Sequence, residues 1–259
     1  MHTKTEIVKN WLPRYTGTPV EEFQEYVLLT NFHNYVERFA ELSGGVPIRG
    51  LDKPMQTATN KETGITIINF GIGSPNAATV MDLLSAVSPK ACLFLGKCGG
   101  LKQKCHIGDW ILPIAGIRGE GTSDDYYDAR VPALPSFSLQ KAVSDSIAAF
   151  GQNYWTGTIY TTNRRVWEHD QDFREYLLKL RCIGIDMETA TVFMVGFAND
   201  IAKGALLLVT DLPLRPEGVK TLESDRSVTV NFLDLHLTLG IDALKRVKES
   251  GKSVKHLRF

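Results

Sequence analysis

Ala91-Cys92-Leu93-Phe94-Leu95-Gly96-Lys97-Cys98-Gly99-Gly100 is the stretch on which the reading of the fold turns. Five unbroken apolar residues fit a strand covered on both faces, and the glycines behind them mark a turn at its carboxyl end. The pattern repeats along the chain. Residues 26–29, 65–70, 110–114, 155–160, 182–185 and 205–209 are further short apolar runs, most of them ending in Gly, Asn, Asp or Thr. Residues 34–42, 77–87, 139–150, 172–180 and 189–198 lie between them, with apolar residues at helical spacing. Strands alternating with helices predict right-handed crossovers and one mostly parallel sheet with helices on both sides. Val230, Leu233, Leu237, Ile241 and Leu244 add a closing amphipathic helix over residues 227–249, whose stripe reads as core. Residues 116–135 hold Gly119, Gly121, Pro132 and Pro135 among few apolar positions, and predict a long surface loop.

The chain's 259 residues suit one large α/β domain, and no linker divides it. Residues 1–259 therefore read as a single domain, with 1–25 as an N-terminal extension. Lys plus Arg equals Asp plus Glu at 29 each, so the basic excess of a nucleic-acid binder is missing. Cys92, Cys98, Cys105 and Cys182 form no CxxC pair and the histidines form no HxxxH, which argues against a structural zinc. Mostly set in or beside apolar segments, these cysteines read as reduced thiols of a cytoplasmic protein. No apolar region follows Met1 and no run approaches about 18 apolar residues, so neither a signal peptide nor a membrane span is expected.

Ligands of open parallel sheets bind at the carboxyl ends of strands. Two such ends are glycine-rich, Gly71-Ile72-Gly73-Ser74-Pro75-Asn76-Ala77 and Gly96–Gly100. Backbone N–H groups there can approach an anion, although glycine punctuates many strand–helix turns for steric reasons alone. A third end, Gly184-Ile185-Asp186-Met187-Glu188-Thr189-Ala190-Thr191, sets two carboxylates around a methionine. Acids at a helix start can be dipole partners, or a carboxylate facing a cleft can accept hydrogen bonds from both hydroxyls of a ribose. The run 205–209 ends in Thr210-Asp211-Leu212-Pro213, where the aspartate is a helix cap or a cleft acid; the nearby proline favours a loop.

Taken together, Gly96–Gly100, the Asp-Met-Glu-Thr-Ala run and the late Thr-Asp resemble the purine nucleoside phosphorylase and nucleosidase family. The resemblance runs from about Tyr26 to the closing helix. It is strongest to the AMP nucleosidase branch, through residues 29–35, 98–101, 161–168 and 185–188. It implies a three-layer α/β/α fold around a mixed, mostly parallel sheet. It also implies a catalytic domain without the N-terminal regulatory domain of the longer forms, working as dimers or hexamers and needing no metal or organic cofactor. The implied reaction hydrolyses AMP to adenine and ribose 5-phosphate.

By that resemblance Asp211 is the general acid at purine N7, help of a kind worth about 10²–10⁴-fold, and Arg226 supports it. Glu188 binds the ribose hydroxyls with Met187 beneath the sugar, and Asp186 is a further candidate. Trp167 can stack on adenine or anchor the core. For the 5′-phosphate, Arg164 and Arg165 offer fork-shaped donors, unless they are ordinary solvated arginines. Lys97, inside the second glycine stretch, is another candidate for the phosphate, and Gly73 lies in the first. His33 and Tyr35 can serve their own site or a neighbouring subunit's. Asn31 and Glu188 are candidates to orient water. Phosphorylases of the family hold phosphate with an arginine two residues before the glycine that opens the Gly-x-Cys-Gly loop; Phe94 stands there, and only Asn34 and Tyr35 precede Arg38 after the first run. Two missing cations point to water as the nucleophile. The alternatives are a purine nucleoside phosphorylase or nucleosidase for unphosphorylated substrates, and a nucleotide-binding module without chemistry.

Overall fold

The apolar runs become strands of one sheet in the computed structural model, which describes residues 2–251. Its strands are β1 (Tyr26–Thr30), β2 (Ile48–Arg49), β3 (Gln56–Asn60), β4 (Ile65–Asn69), β5 (Ala91–Gly100), β6 (Trp110–Gly119), β7 (Tyr154–Thr162), β8 (Gly184–Asp186) and β9 (Lys203–Asp211). Its helices are α1 (Lys4–Thr16), α2 (His33–Leu42), α3 (Ser74–Leu84), α4 (Phe137–Ala149), α5 (Gln171–Leu180), α6 (Thr189–Ala198) and α7 (Leu222–Ser250). The strand order is β2-β3-β4-β1-β5-β8-β7-β6-β9, and β9 also pairs with β5. That last pairing closes five strands on themselves, while β1 to β4 form an open wing. Five of the pairings are parallel and four antiparallel, so the sheet is mixed and mostly parallel.

Strand alternation sorts the core into two layers. On β5, Cys92 and Phe94 face a cluster built with α1, α3 and α6, while Leu93 and Leu95 face one built with α2, α4 and α7. β9 repeats the division, with Leu207 on the first side and Leu206 and Leu208 on the second. Both faces of these strands are covered, which is why their sequences read as unbroken apolar runs. Helix α5 packs on a third, smaller cluster through Leu177, beside Tyr160 and Trp167.

Three features depart from the sequence reading. Residues 96–100 continue β5 as strand. Their glycines answer crowding, since a Cβ on Gly96 would lie 2.6 Å from the Phe94 ring and one on Gly99 2.9 Å from Pro213. The loop expected over residues 116–135 begins only after Gly119, because β6 runs on beside β7 to the pair Gly119–Thr162. The rest winds around the Arg118 guanidinium, which donates to Ser123 Oγ, to Asp124 and to the carbonyls of Tyr127, Asp128 and Val131. Ahead of β1, α1 starts from a Thr3–Glu6 capping box, buries Leu12 in the first core layer and ties Lys4 to Asp82 on α3 at 2.7 Å.

Candidate active site

A cleft opens at the carboxyl ends of β1, β5, β7, β8 and β9. Its wall includes Asn31, Lys97, Arg164, Arg165, Trp167, Met187, Glu188 and Asp211, gathered from five separate stretches of the chain.

Asp211 enters through a fault in the sheet. Along β5 and β9 the register runs Cys98–Val209 and then Gly99–Asp211, so Thr210 is an extra residue without a partner. Such a bulge turns the following side chain away from its regular direction. Gly99 leaves the room, since a Cβ there would sit 3.2 Å from Asp211 Oδ2. The carboxyl is mostly buried, accepts from Thr210 Oγ1 at 2.9 Å, and has Lys220 Nζ 3.8 Å away. Burial holds its pKa above the ordinary aspartate value, against the pull of Lys220, the Thr210 hydroxyl and Arg165.

The two acids flanking Met187 have different duties. Asp186 is satisfied inside the protein. It accepts from Thr161 Oγ1 at 2.7 Å, from Thr189 N at 2.8 Å and from the Thr189 hydroxyl, so it ties β7 to the first turn of α6. Asp186, expected to bind substrate, has this bracing role while also lining the cleft. Glu188 faces the cleft. Its Oε1 accepts from Gly73 N at 2.7 Å and its Oε2 from Met187 N at 3.3 Å. Desolvation first, and the neighbouring Asp186 charge second, push its pKa up to about 8. The first glycine stretch thus turns a backbone N–H on an acidic group, but that group is the protein's own Glu188. Gly73, at φ 97°, is a holder of Glu188 and does not line the cleft, while Ser74 Oγ donates to Met187 O at 2.6 Å.

The cations are all engaged. Arg164 pairs with Asp170 at 2.8 Å and lies over the Phe173 ring; Arg165 pairs with Glu168 at 3.6 Å and acts on Asp211. Lys97, buried under the Phe32 ring, bonds Asp225 at 3.1 Å and Thr229 Oγ1 at 2.8 Å. Lys220 reaches the same Asp225 at 3.4 Å. Trp167 anchors the core with its ring edge-to-face on Phe173 at 5.4 Å, and it also lines the cleft wall.

Three expected residues stand elsewhere. Tyr35 is fully buried and its hydroxyl meets His236 Nδ1 at 2.8 Å, which makes it a core hydrogen bond between α2 and α7. His33 is exposed, 2.7 Å from Gln56 and 3.0 Å from Glu37. Arg226 is exposed on α7 outside the cleft lining, and Lys220 is the cation beside Asp211. Sequence reasoning passed over Lys220 and Asp225, which sit among unremarkable polar neighbours after Pro216 and carry no local motif. Among the described residues, no cluster of His, Cys, Asp and Glu is arranged to hold a metal ion, and no helix is long and apolar enough to cross a membrane.

Residues 16–239 match the family model described as the phosphorylase superfamily. The AMP nucleosidase of Escherichia coli K12 is 30% identical over 93% of this chain and 58% of its own length, so the chain spans little more than half of that relative. A crystal structure of AMP nucleosidase from Bacteroides thetaiotaomicron is 54% identical, with a TM-score of 0.85, over 96% of this chain and 100% of that one. The guanosine phosphorylase of Halorubrum lacusprofundi is 25% identical over 73% of this chain and 78% of its own.

Proposed function

Because the chain belongs to the phosphorylase superfamily, we propose that it hydrolyses AMP to adenine and ribose 5-phosphate. Water oxygen bonds to C1′ as the bond from C1′ to N9 breaks, and the bonding electrons leave with the purine. Asp211 gives its proton to N7, which makes the base a better leaving group, and the proton that the attacking water sheds restores the Asp211 carboxyl. Its burial supports this role, since a raised pKa keeps the proton available. Glu188 accepts from the ribose and Met187 packs under it.

The observation that carries the reading is one cleft walled by both Glu188 and the bulge-borne Asp211. Water is favoured over phosphate because the two arginines a phosphorylase would use are missing. Phe94 is fully buried against Phe70, and Arg38 is committed to Asp234 and Glu41 on the outer surface. The two AMP nucleosidase relatives agree with the substrate. We take residues 1–259 as one catalytic unit that works in the cytoplasm as a homo-oligomer.

A second reading, cleavage of unphosphorylated nucleosides, is favoured by one fact. Each cation of the cleft already has a carboxylate partner, so a 5′-phosphate must compete for them. Incubation with AMP in phosphate-free buffer, with chromatography of the products, decides. Adenine with ribose 5-phosphate supports nucleotide hydrolysis. Adenine only after phosphate is added would make the enzyme a phosphorylase, and turnover of adenosine alone would establish the second reading.

A further inference from the structure

Glu188 has few free positions for a ribose. A carboxyl group has about four lone-pair positions. Gly73 N–H takes one on Oε1, Met187 N–H takes one on Oε2, and the Asn31 side chain lies near enough to the same carboxyl to favour its charged form. Little of the carboxyl is left for a sugar that offers two neighbouring hydroxyls.

The missing acceptor lies beside it. Asn31 Oδ1 is buried in the cleft wall and has no hydrogen-bond partner in the protein. A buried carbonyl oxygen in that state costs about 1–3 kcal/mol, and such atoms are nearly always satisfied in a working protein. Asn31 and Glu188 share this wall of the cleft, so the amide oxygen stands near the carboxyl. A donor is required, and it must come from the cleft. Neighbouring acceptors on a carboxyl and an amide match the neighbouring hydroxyls of a cis diol.

We propose that Asn31 is the second ribose ligand. Its Oδ1 accepts from one hydroxyl of the 2′,3′-diol while Glu188 accepts from the other, and the pair selects ribose over deoxyribose. The Oδ1–hydroxyl bond also accounts for the orientation of the amide, since Nδ2 must face Glu188 for Oδ1 to face the sugar. This rests on the proposed glycosidic cleavage.

The test is a cycle of three substrates on two enzymes. AMP, 2′-deoxy-AMP and 3′-deoxy-AMP are compared by kcat/KM for the wild type and Asn31→Ala, with Asn31→Ser as a second variant that keeps a small polar group. The wild type should reject both deoxy substrates by tenfold or more. Asn31→Ala should lose about tenfold or more on AMP, yet change little on the one deoxy isomer that lacks the hydroxyl Asn31 binds. An equal loss on all three substrates would overturn the proposal and make Oδ1 a seat for the attacking water. If the wild type leaves AMP intact, nucleotide hydrolysis falls. The same cycle on adenosine and its two deoxy forms, read as binding by calorimetry, then supports or overturns the role of Asn31 by itself.

Discussion

Replacing Glu188 with glutamine should invert the stability difference between variant and wild type as pH rises. An ordinary glutamate titrates near 4.5, and in the fold Glu188 is pushed up to about 8. Each unit is worth about 1.36 kcal/mol, so ionising this carboxyl inside the protein costs up to about 5 kcal/mol more than in the unfolded chain. Between those two values the folded state binds more protons than the unfolded state. Stability therefore falls as pH rises from about 4.5 to 8, and this contribution levels off above 8. Glutamine cannot ionise and lacks that slope. It has one acceptor oxygen, however, and must meet two N–H groups, those of Gly73 and Met187. One of them then faces an amide NH₂, at a cost of about 1–3 kcal/mol. At pH 5 Glu188→Gln should melt several degrees below the wild type, and near pH 9 it should melt above it, at about 2–4 °C per kcal/mol for a chain of this size. Asp186 is also raised by burial, and loss of the Glu188 charge eases its ionisation, so the substitution flattens its slope as well and adds to the difference in the same direction. Thermal melts at constant ionic strength from pH 5 to 9 read the difference directly. A gap that stays constant across that range would refute the reasoning, because it would mean that Glu188 ionises in the fold as easily as in water.

Asp211→Asn should lower kcat by about 10²–10⁴-fold, since the proton for N7 is gone, while the Kd for AMP stays within a few fold. Unchanged turnover would remove Asp211 from the mechanism. Asp211 must be protonated to act, so kcat/KM should fall as pH rises through its raised pKa. Lys220→Met removes the cation that lowers that pKa most and should move this limb of the profile to higher pH; a limb that does not move would show that Lys220 leaves the acid alone.

The legible part of the fold is the part with covered strands. Each apolar run became a strand, and at β5 and β9 burial on both faces demands it. The strands that escaped notice are β2 and β3 at the edge of the wing. Gln56-Thr57-Ala58-Thr59-Asn60 is polar, and it forms β3 because Ile65–Asn69 lies beside it and Thr57 Oγ1 meets Thr18 Oγ1 at 2.6 Å. No local pattern encodes that partner. The glycines misled in the opposite direction. They read as punctuation, yet Gly96 and Gly99 continue a strand through crowded neighbours that only the fold brings near, Leu207 and Pro213 among them.

The same distinction separates the legible site residues from the others. Asp211 and Glu188 were found because each ends an apolar strand, a position the fold turns into a cleft wall whatever the distant partners are. Which of Asp186 and Glu188 faces substrate was not written locally. Thr161, 25 residues away, claims Asp186, and Gly73, 115 residues away, holds Glu188 open to the cleft. Adjacent arginines suggested a phosphate clamp, yet Asp170 and Glu168 lie close enough in sequence to engage both. Charge type alone therefore predicts little here. What marks a group for chemistry in this cleft is burial with a bonding position left unfilled, as on Asn31 Oδ1. Groups engaged inside the protein, such as Asp186 and Tyr35, hold the frame in which the cleft groups stand.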